Sequence, residues 1–320
     1  MIAVTYSDVD PEFRARCNEV INDWQEGKVE FPEAAYRLDR LKKEAHKEGN
    51  FAHLGGVELV YGILQAHRGY YDSAIQHFEQ ARQNFLAGQL HARVNTTILN
   101  LGEIYRQKGD FLRARQYFHQ AYEGAVKLGT RSIQMNALSN EAQMLISLNG
   151  YTKAHELLKK ALQIGTEPFI SEPDPDHAIR KGILSEIHYV ICNLYIQENK
   201  PVEAWEHAQE AHRLAQEVES HLSIAFATRA IGDVITRLPA APEGYDENPD
   251  TYYQIATQLF RDLNSESEIG RTYYAQAQSM VYRKMPQEAA RLFEQAIGIF
   301  TKLGMTDDVS KATQAKRRVL

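Results

Sequence analysis

Small and large apolar residues follow one another at fixed spacings, and this pattern recurs about every forty residues along the chain. It is clearest in the segments 69–81 (GYYDSAIQHFEQA), 109–121 (GDFLRARQYFHQA) and 149–161 (NGYTKAHELLKKA). In each segment an alanine is followed four residues later by a large apolar residue and seven residues later by a second alanine. These offsets place all three side chains on one face of an α-helix. The pattern therefore predicts a helix whose small residues let a neighbouring backbone approach closely.

The same offsets occur along most of the chain. The first alanine of the pattern recurs at Ala34, Ala74, Ala114, Ala154, Ala204 and Ala289, and the second at Ala81, Ala121, Ala161, Ala211 and Ala296. The large residue between them is Leu38, Phe78, Phe118, Leu158 and Phe293.

A second helix is predicted upstream of each of these helices. In the segment ILNLGEIYRQKGD, the residues Leu101, Gly102 and Tyr105 share one helical face. Between the two helices stand residues that tolerate a positive φ angle, Gly69 and Gly109 in two of the copies. Each unit is therefore predicted to be a helix, a tight turn and a helix.

This arrangement resembles the tetratricopeptide repeat, which has a small residue at position 8, a bulky one at 11, alanine at 20, an aromatic at 24 and alanine at 27. In the unit that starts at residue 95 these positions hold Gly102, Tyr105, Ala114, Phe118 and Ala121. The usual repeat has 34 residues. A period of about forty resembles the subclass with longer helices that is found in kinesin light chains and Rap-type bacterial peptide receptors.

The resemblance implies an all-α, right-handed superhelical solenoid of about seven helix-turn-helix repeats that form a single domain over residues 1–320. The expected repeats are 10–50, 51–90, 91–130, 131–166, 180–219, 220–264 and 265–305, followed by a C-terminal capping helix at 306–320. Two segments rich in proline and acidic residues, 165–181 and 238–250, interrupt the period. They are expected to form mobile or exposed surface loops.

Composition narrows the classes of function. The net charge of −6 and the pI of about 6.1 argue against nucleic-acid binding. No apolar run approaches the roughly 18 residues of a membrane-spanning helix. The two cysteines, Cys17 and Cys192, form neither a disulfide framework nor a CxxC motif, so a reducing, cytoplasmic location is expected.

The chain also lacks the sequence motifs of common catalytic and metal sites. It contains no HExxH, no glycine-rich phosphate loop and no Gly-x-Ser-x-Gly motif. His188 and Cys192 are four residues apart, but two ligands do not make a zinc site, and Cys192 occupies a small core position of its repeat. His207 and His212 are five apart and point to different faces. We therefore expect no enzymatic activity, no catalytic residue, no metal and no cofactor.

In the family that the chain resembles, the first helices line the concave groove through positions 2, 5, 9 and 12, and sometimes position 6. The polar residues at or near such positions here, which form the candidate binding groove, are Asn100, Glu103, Arg106, Asn136, Asn140, Gln143, Tyr189, Asn193, Arg229, Arg271, Tyr274 and Gln278. The asparagines are expected to be exposed and to hydrogen-bond a peptide backbone, as groove asparagines do in related receptors. Arg229 and Arg271 are expected to hold an acidic side chain or a chain terminus. The alternative is that the asparagines are only solvated polar residues on an exposed face.

The cationic clamp of tetratricopeptide co-chaperones is missing, because Leu59 and Ile63 stand at its first two positions. The sequence thus predicts a non-enzymatic scaffold or adaptor that binds a protein or peptide. The alternative is a ligand- or peptide-responsive sensor that acts on a partner effector. The partner's identity and the oligomeric state are left open by the sequence.

Overall fold

The structure, a computed structural model, describes residues 10–25, 27–167 and 177–319. These residues form helices and no strand. The helices are α1 (Pro11–Gln25), α2 (Phe31–Glu48), α3 (Phe51–His67), α4 (Tyr71–Ala87), α5 (His91–Gln107), α6 (Phe111–Leu128), α7 (Arg131–Ser147), α8 (Tyr151–Thr166), α9 (His177–Gln197), α10 (Pro201–Glu217), α11 (His221–Ile235), α12 (Pro249–Asp262), α13 (Glu266–Tyr282), α14 (Pro286–Lys302) and α15 (Thr306–Val319).

Most consecutive helices pair through short turns that require a left-handed backbone conformation. The φ angle is 82° at Gly69 and 78° at Gly109, and it is 60° at Asn149 in the following pair. Asn199 and Lys284 adopt the same conformation in later pairs, with φ of 58° and 60°. The predicted helix–turn–helix unit is therefore confirmed at these turns, and a residue other than glycine or asparagine also fits one of them.

The alanine and phenylalanine positions of the repeat form the core. Ala114, Phe118 and Ala121 of α6 are completely buried. Gly102 of α5 lies against the ring of Phe118, and a Cβ atom at Gly102 would lie 2.7 Å from ring carbons. The glycine of the first helix thus leaves the space that the aromatic ring of the second helix fills. The predicted all-α architecture of tetratricopeptide-like helix pairs is confirmed.

The chain divides into two compact units. The first comprises residues 1–137 and 262–264, and the second comprises residues 138–261 and 265–320. The core of the first unit includes Phe13, Trp24 and Leu38. One core cluster of the second unit is built around Cys192 and Ile231.

The interrupting segment 238–250 is largely exposed, as expected, and it is also anchored to the neighbouring helices. Its Tyr245 ring packs edge-on against Trp205 of α10, with ring centroids 4.6 Å apart. The backbone N–H of Asp246 donates to the Tyr252 hydroxyl over 2.7 Å, and the Asp246 carboxylate accepts from the N–H of Asn248. The segment is exposed at Glu247 but anchored by these contacts. Most of the other interruption, 168–176, lies outside the described residues.

The last helix, α15, packs on α14. Its Ala312 is fully buried, and Ala315 and Val319 contact the cluster that contains Phe293. This contact fits the expected capping role of the last helix. None of the described helices is both long and apolar enough to cross a bilayer.

Candidate functional site on the first helices

In the first unit, the predicted groove residues of α5 lie much deeper than expected. Asn100 is 1% exposed and Glu103 is 3% exposed. Asn136, on the first part of α7, is 7% exposed. The expectation of exposed amides is therefore wrong for Asn100 and for Asn136. The physical reason is that the whole stretch 93–104 of α5 is buried, so polar residues at its inner positions are enclosed along with its apolar ones.

Glu103 is held by two neighbours on its own helix. Arg106 donates to both carboxylate oxygens, over 2.8 and 2.6 Å, and Gln107 donates over 2.7 Å. Burial disfavours the charged carboxylate, but the Arg106 guanidinium outweighs burial and lowers the pKa of Glu103 to about 2. Glu103 is therefore an ionised acceptor whose hydrogen bonds to Arg106 and Gln107 fix its position.

In the second unit, the predicted amides of α7 and α9 lie in different surroundings. Asn140 is 8% exposed, and its Nδ2 has no hydrogen-bond partner among the residues that the structure describes. Gln143 and Asn193 are half-buried. The expectation of exposure is thus wrong for Asn140 as well, and it holds only in part for Asn193. A buried amide N–H without a partner is energetically costly, so Asn140 is an unusual residue for a purely structural position.

The predicted residues of α9, α11 and α13 are joined by direct contacts. Arg229 of α11 donates to the Tyr189 hydroxyl over 2.8 Å and to Glu268 over 2.9 Å. Arg271 donates to the other Glu268 oxygen over 2.5 Å. The Arg229 guanidinium also lies over the ring of Phe226, 5.1 Å from its centroid. The structure therefore brings Tyr189, Arg229 and Arg271 together along one line of first helices.

This line contains a residue that the sequence pattern missed. Glu268 is ionised, because Arg271 and Arg229 outweigh the effect of burial and lower its pKa to about 2. The groove positions predicted for the seventh repeat begin at Arg271, so they did not include Glu268. Its presence changes the expected role of the arginines. Arg229 and Arg271 already share one internal carboxylate, which reduces their capacity to hold a partner's acidic group.

The remaining predicted residues, Tyr274 and Gln278, lie one turn apart on α13. Gln278 donates to the Tyr274 hydroxyl over 3.1 Å, and the Tyr274 ring contacts Phe293 edge-on. Both are half-buried. The ring of Tyr274 therefore packs into the core, and its hydroxyl accepts a hydrogen bond from the amide of Gln278.

A histidine pair connects α9 and α10, and the sequence pattern did not predict it. The Nδ1 atoms of His188 and His207 are 2.8 Å apart. Burial and the neighbouring His207 lower the pKa of His188 to about 4. Burial also lowers the pKa of His207. Sequence spacing had paired His188 only with Cys192 and had indicated no neighbour for His207, because the approach of one helix to the next is invisible to spacing within a helix.

The two cysteines take part in core packing. Cys17 and Cys192 are free and buried, and burial raises the pKa of both thiols. Within the described ranges, no group of three or more histidine, cysteine, aspartate or glutamate side chains has the geometry of a metal site.

Comparisons with known proteins identify the repeat and the fold. A family model described as tetratricopeptide repeat matches residues 93–167. No curated protein sequence matches the chain significantly.

The crystal structure of apo RapI is similar with a TM-score of 0.64 and 9% identity, over 92% of this chain and 99% of that chain. A Rap protein complexed with Competence and Sporulation Factor has a TM-score of 0.57 and 10% identity, over 96% and 97% of the two chains. Aspartyl phosphate phosphatase F from Bacillus subtilis has a TM-score of 0.48 and 16% identity, over 99% of this chain and 82% of that chain.

Proposed function

From the premise that the chain is a tetratricopeptide-repeat protein with a Rap-like fold, we propose that it is a non-enzymatic module that binds a protein or peptide partner. The binding surface is formed by inner positions of the first helices. In the second unit these positions belong to α7, α9, α11 and α13. The ligand is an extended peptide whose backbone is held by amide side chains.

The proposal rests mainly on two asparagine side chains whose amide groups lack hydrogen-bond partners among the described residues. Asn140 has a buried Nδ2 without a hydrogen-bond partner in the described part of the chain. Asn193 is half-buried and makes no hydrogen bond to any described residue. An asparagine amide both donates and accepts, which is what one peptide group of a ligand requires.

Tyr189 supports the assignment of Asn193 to the inner surface. The two residues are one helical turn apart on α9, so they share a face. Tyr189 on that face reaches Arg229 on the next first helix. Asn193 therefore stands on the line of first helices that the contacts of Tyr189, Arg229 and Glu268 define.

The test uses peptides selected from a random display library against the wild-type protein. Binding of a selected peptide is measured by fluorescence anisotropy with the wild type, the Asn140→Ala/Asn193→Ala double variant and a control. Loss of hydrogen bonds to a bound peptide costs about 1–3 kcal/mol, so we expect the affinity of the double variant to fall roughly 5- to 150-fold. The control is Gln209→Ala, which removes an exposed amide from the second helix α10 and should leave the affinity unchanged.

Thermal unfolding separates binding from folding in this test. A double variant that unfolds at the wild-type temperature and binds with wild-type affinity would contradict the proposal. Peptides that lose affinity for Gln209→Ala, and not for the double variant, would place the binding surface on the second helices instead.

A second candidate function, a regulator that responds to a bound ligand, is favoured by one comparison. The Rap protein with a similar fold was crystallised with Competence and Sporulation Factor. A peptide that changes the affinity of this chain for a separate effector protein would support the regulator. A peptide that binds without such an effect would support the simple scaffold.

A further inference from the structure

A polar cleft lies between α1 and α2 in the first unit, away from the inner positions of α5. Its volume is about 430 Å³, which is in the range of small-molecule sites. The cleft is lined by Arg16, Glu19, Val20, Arg37, Arg40, Leu41, Lys43 and Glu44. The lining holds four cations and two carboxylates, and Asp23 and Glu33 beside it supply two further carboxylates that pair with Arg37.

Two of the four cations are neutralised by ion pairs. Arg16 donates to both oxygens of Glu44, over 2.6 and 2.5 Å, which joins α1 to α2. Arg37 pairs with Asp23 and Glu33, each over 2.8 Å. These pairs fix the walls of the cleft and leave little charge for a ligand.

The other two cations are not neutralised in this way. Arg40 and Lys43 are exposed and form no hydrogen bond or ion pair with any residue that the structure describes, although Arg40 is near enough to Glu44 to help lower the pKa of that carboxyl. They are three residues apart on α2, so their side chains leave the helix as neighbours, with Cβ atoms about 5–6 Å apart. Two adjacent cations at this spacing suit a compact anion with several charged oxygens.

The rest of the lining indicates what else the ligand carries. Val20 and Leu41 belong to the lining but are only 3% and 5% exposed, so they offer a ligand little apolar area. Glu19 is exposed and forms no hydrogen bond or ion pair within the described ranges, so its carboxylate is free to accept from a hydroxyl or amine. We propose that the α1–α2 cleft binds a small organic phosphate whose phosphate oxygens lie between Arg40 and Lys43. Because the volume of the cleft is limited and helices bound it on two sides, the proposed ligand is a small molecule and not a segment of a protein.

The test measures binding of named probes by isothermal titration calorimetry at low salt. The probes are ATP, AMP, adenosine, pyrophosphate and citrate. We expect ATP and AMP to bind and adenosine to fail. If citrate binds as strongly as ATP, the cleft selects polyanions in general, and the assignment of a phosphate ligand is overturned.

The Arg40→Ala/Lys43→Ala variant should bind ATP at least tenfold more weakly than the wild type. The matched control is Arg317→Ala/Arg318→Ala, which removes two exposed cations from the end of α15 and changes the net charge equally. The control should bind as the wild type does. The proposal is overturned if no probe binds the wild type, or if both double variants lose affinity to the same extent, since that result would indicate attraction by net charge alone. All four residues are exposed, so both variants should fold, and circular dichroism checks that they do.

Discussion

The close contact between Gly62 of α3 and Phe78 of α4 gives the sharpest test of the repeat packing. A Cβ atom at Gly62 would lie 2.4 and 2.5 Å from two ring carbons of Phe78, closer than real Cβ contacts come. Phe78 is completely buried, so its ring has no open space to enter. Gly62→Ala therefore forces the two helices apart or pushes the ring from its position.

The magnitude follows from two opposing terms. Overpacking a well-filled core costs typically 1–3 kcal/mol. Alanine gains about 1 kcal/mol over glycine in a helix interior. Because the clash here is severe, we expect Gly62→Ala to lower the free energy of unfolding by about 1–2 kcal/mol.

A matched control lies on the same helix. Gly56 is also within α3, but apart from the adjacent backbone of its own helix and its two chain neighbours, no atom lies within 4 Å of the place where its Cβ would be. Gly56→Ala should therefore gain the helix propensity without a clash and raise the stability by about 0.5–1 kcal/mol. Two identical substitutions six residues apart are thus expected to shift stability in opposite directions.

Urea unfolding followed by circular dichroism measures both variants. Repeat arrays can unfold in parts, so the transition midpoints are compared only where the slopes agree with the wild type. If both variants shift the midpoint in the same direction, the packing of Gly62 against Phe78 is wrong. A second variant, Phe78→Leu combined with Gly62→Ala, should lose less than the sum of the two single changes, because the shorter side chain accepts the added methyl group.

Two further predictions concern buried polar groups in the second unit. The pKa of His188 is about 4 in the folded protein and 6.5 is its ordinary value, so the unfolded chain binds this proton first as the pH falls. The free energy of unfolding should therefore be highest above pH 6.5 and fall by up to about 3 kcal/mol as the pH drops toward 4. Thermal unfolding at pH 7.5 and 4.5 should show a smaller loss of stability for His188→Phe than for the wild type. An equal loss in the variant would contradict the prediction. Glu268→Gln leaves the buried Arg229 without its counter-charge and should cost about 3–5 kcal/mol in urea unfolding, whereas a change below 1 kcal/mol would show that water solvates the arginine.

Periodicity predicts the core of each repeat because it is a property of single helices. Ala114, Phe118 and Ala121 occupy one helical face in the sequence, and the same three side chains are completely buried. The turns were predictable for a similar reason, since Gly109 and Asn149 have few competitors at positive φ. These features depend on local offsets, and local offsets are visible in a single chain.

Contacts between helices were much harder to predict. Glu268 meets Arg229 across 39 positions of sequence, and His188 meets His207 across 19. No spacing rule connects such pairs, because they depend on how side chains extend from adjacent helices. The burial of the Asn100 side chain was not predicted for a related reason. A groove position in the repeat frame specifies the direction of a side chain, but the surrounding helices decide how much of it water can reach.

The inner positions of the second unit and the α1–α2 cleft differ in how their charges are satisfied, and this difference has a measurable consequence. Along the inner positions, Arg229 and Arg271 share Glu268, while the neutral amides Asn140 and Asn193 lack partners within the described residues. The proposed recognition of a peptide there uses neutral hydrogen bonds, so peptide affinity should change little between 50 and 300 mM salt. In the proposed cleft site, by contrast, the exposed cations Arg40 and Lys43 supply the attraction. Added salt screens exposed charges from one another over a distance of about 10 Å or less. ATP binding should therefore weaken several-fold over the same salt range. A peptide whose binding is as sensitive to salt as that of ATP would mean that charge, and not the amides, holds it.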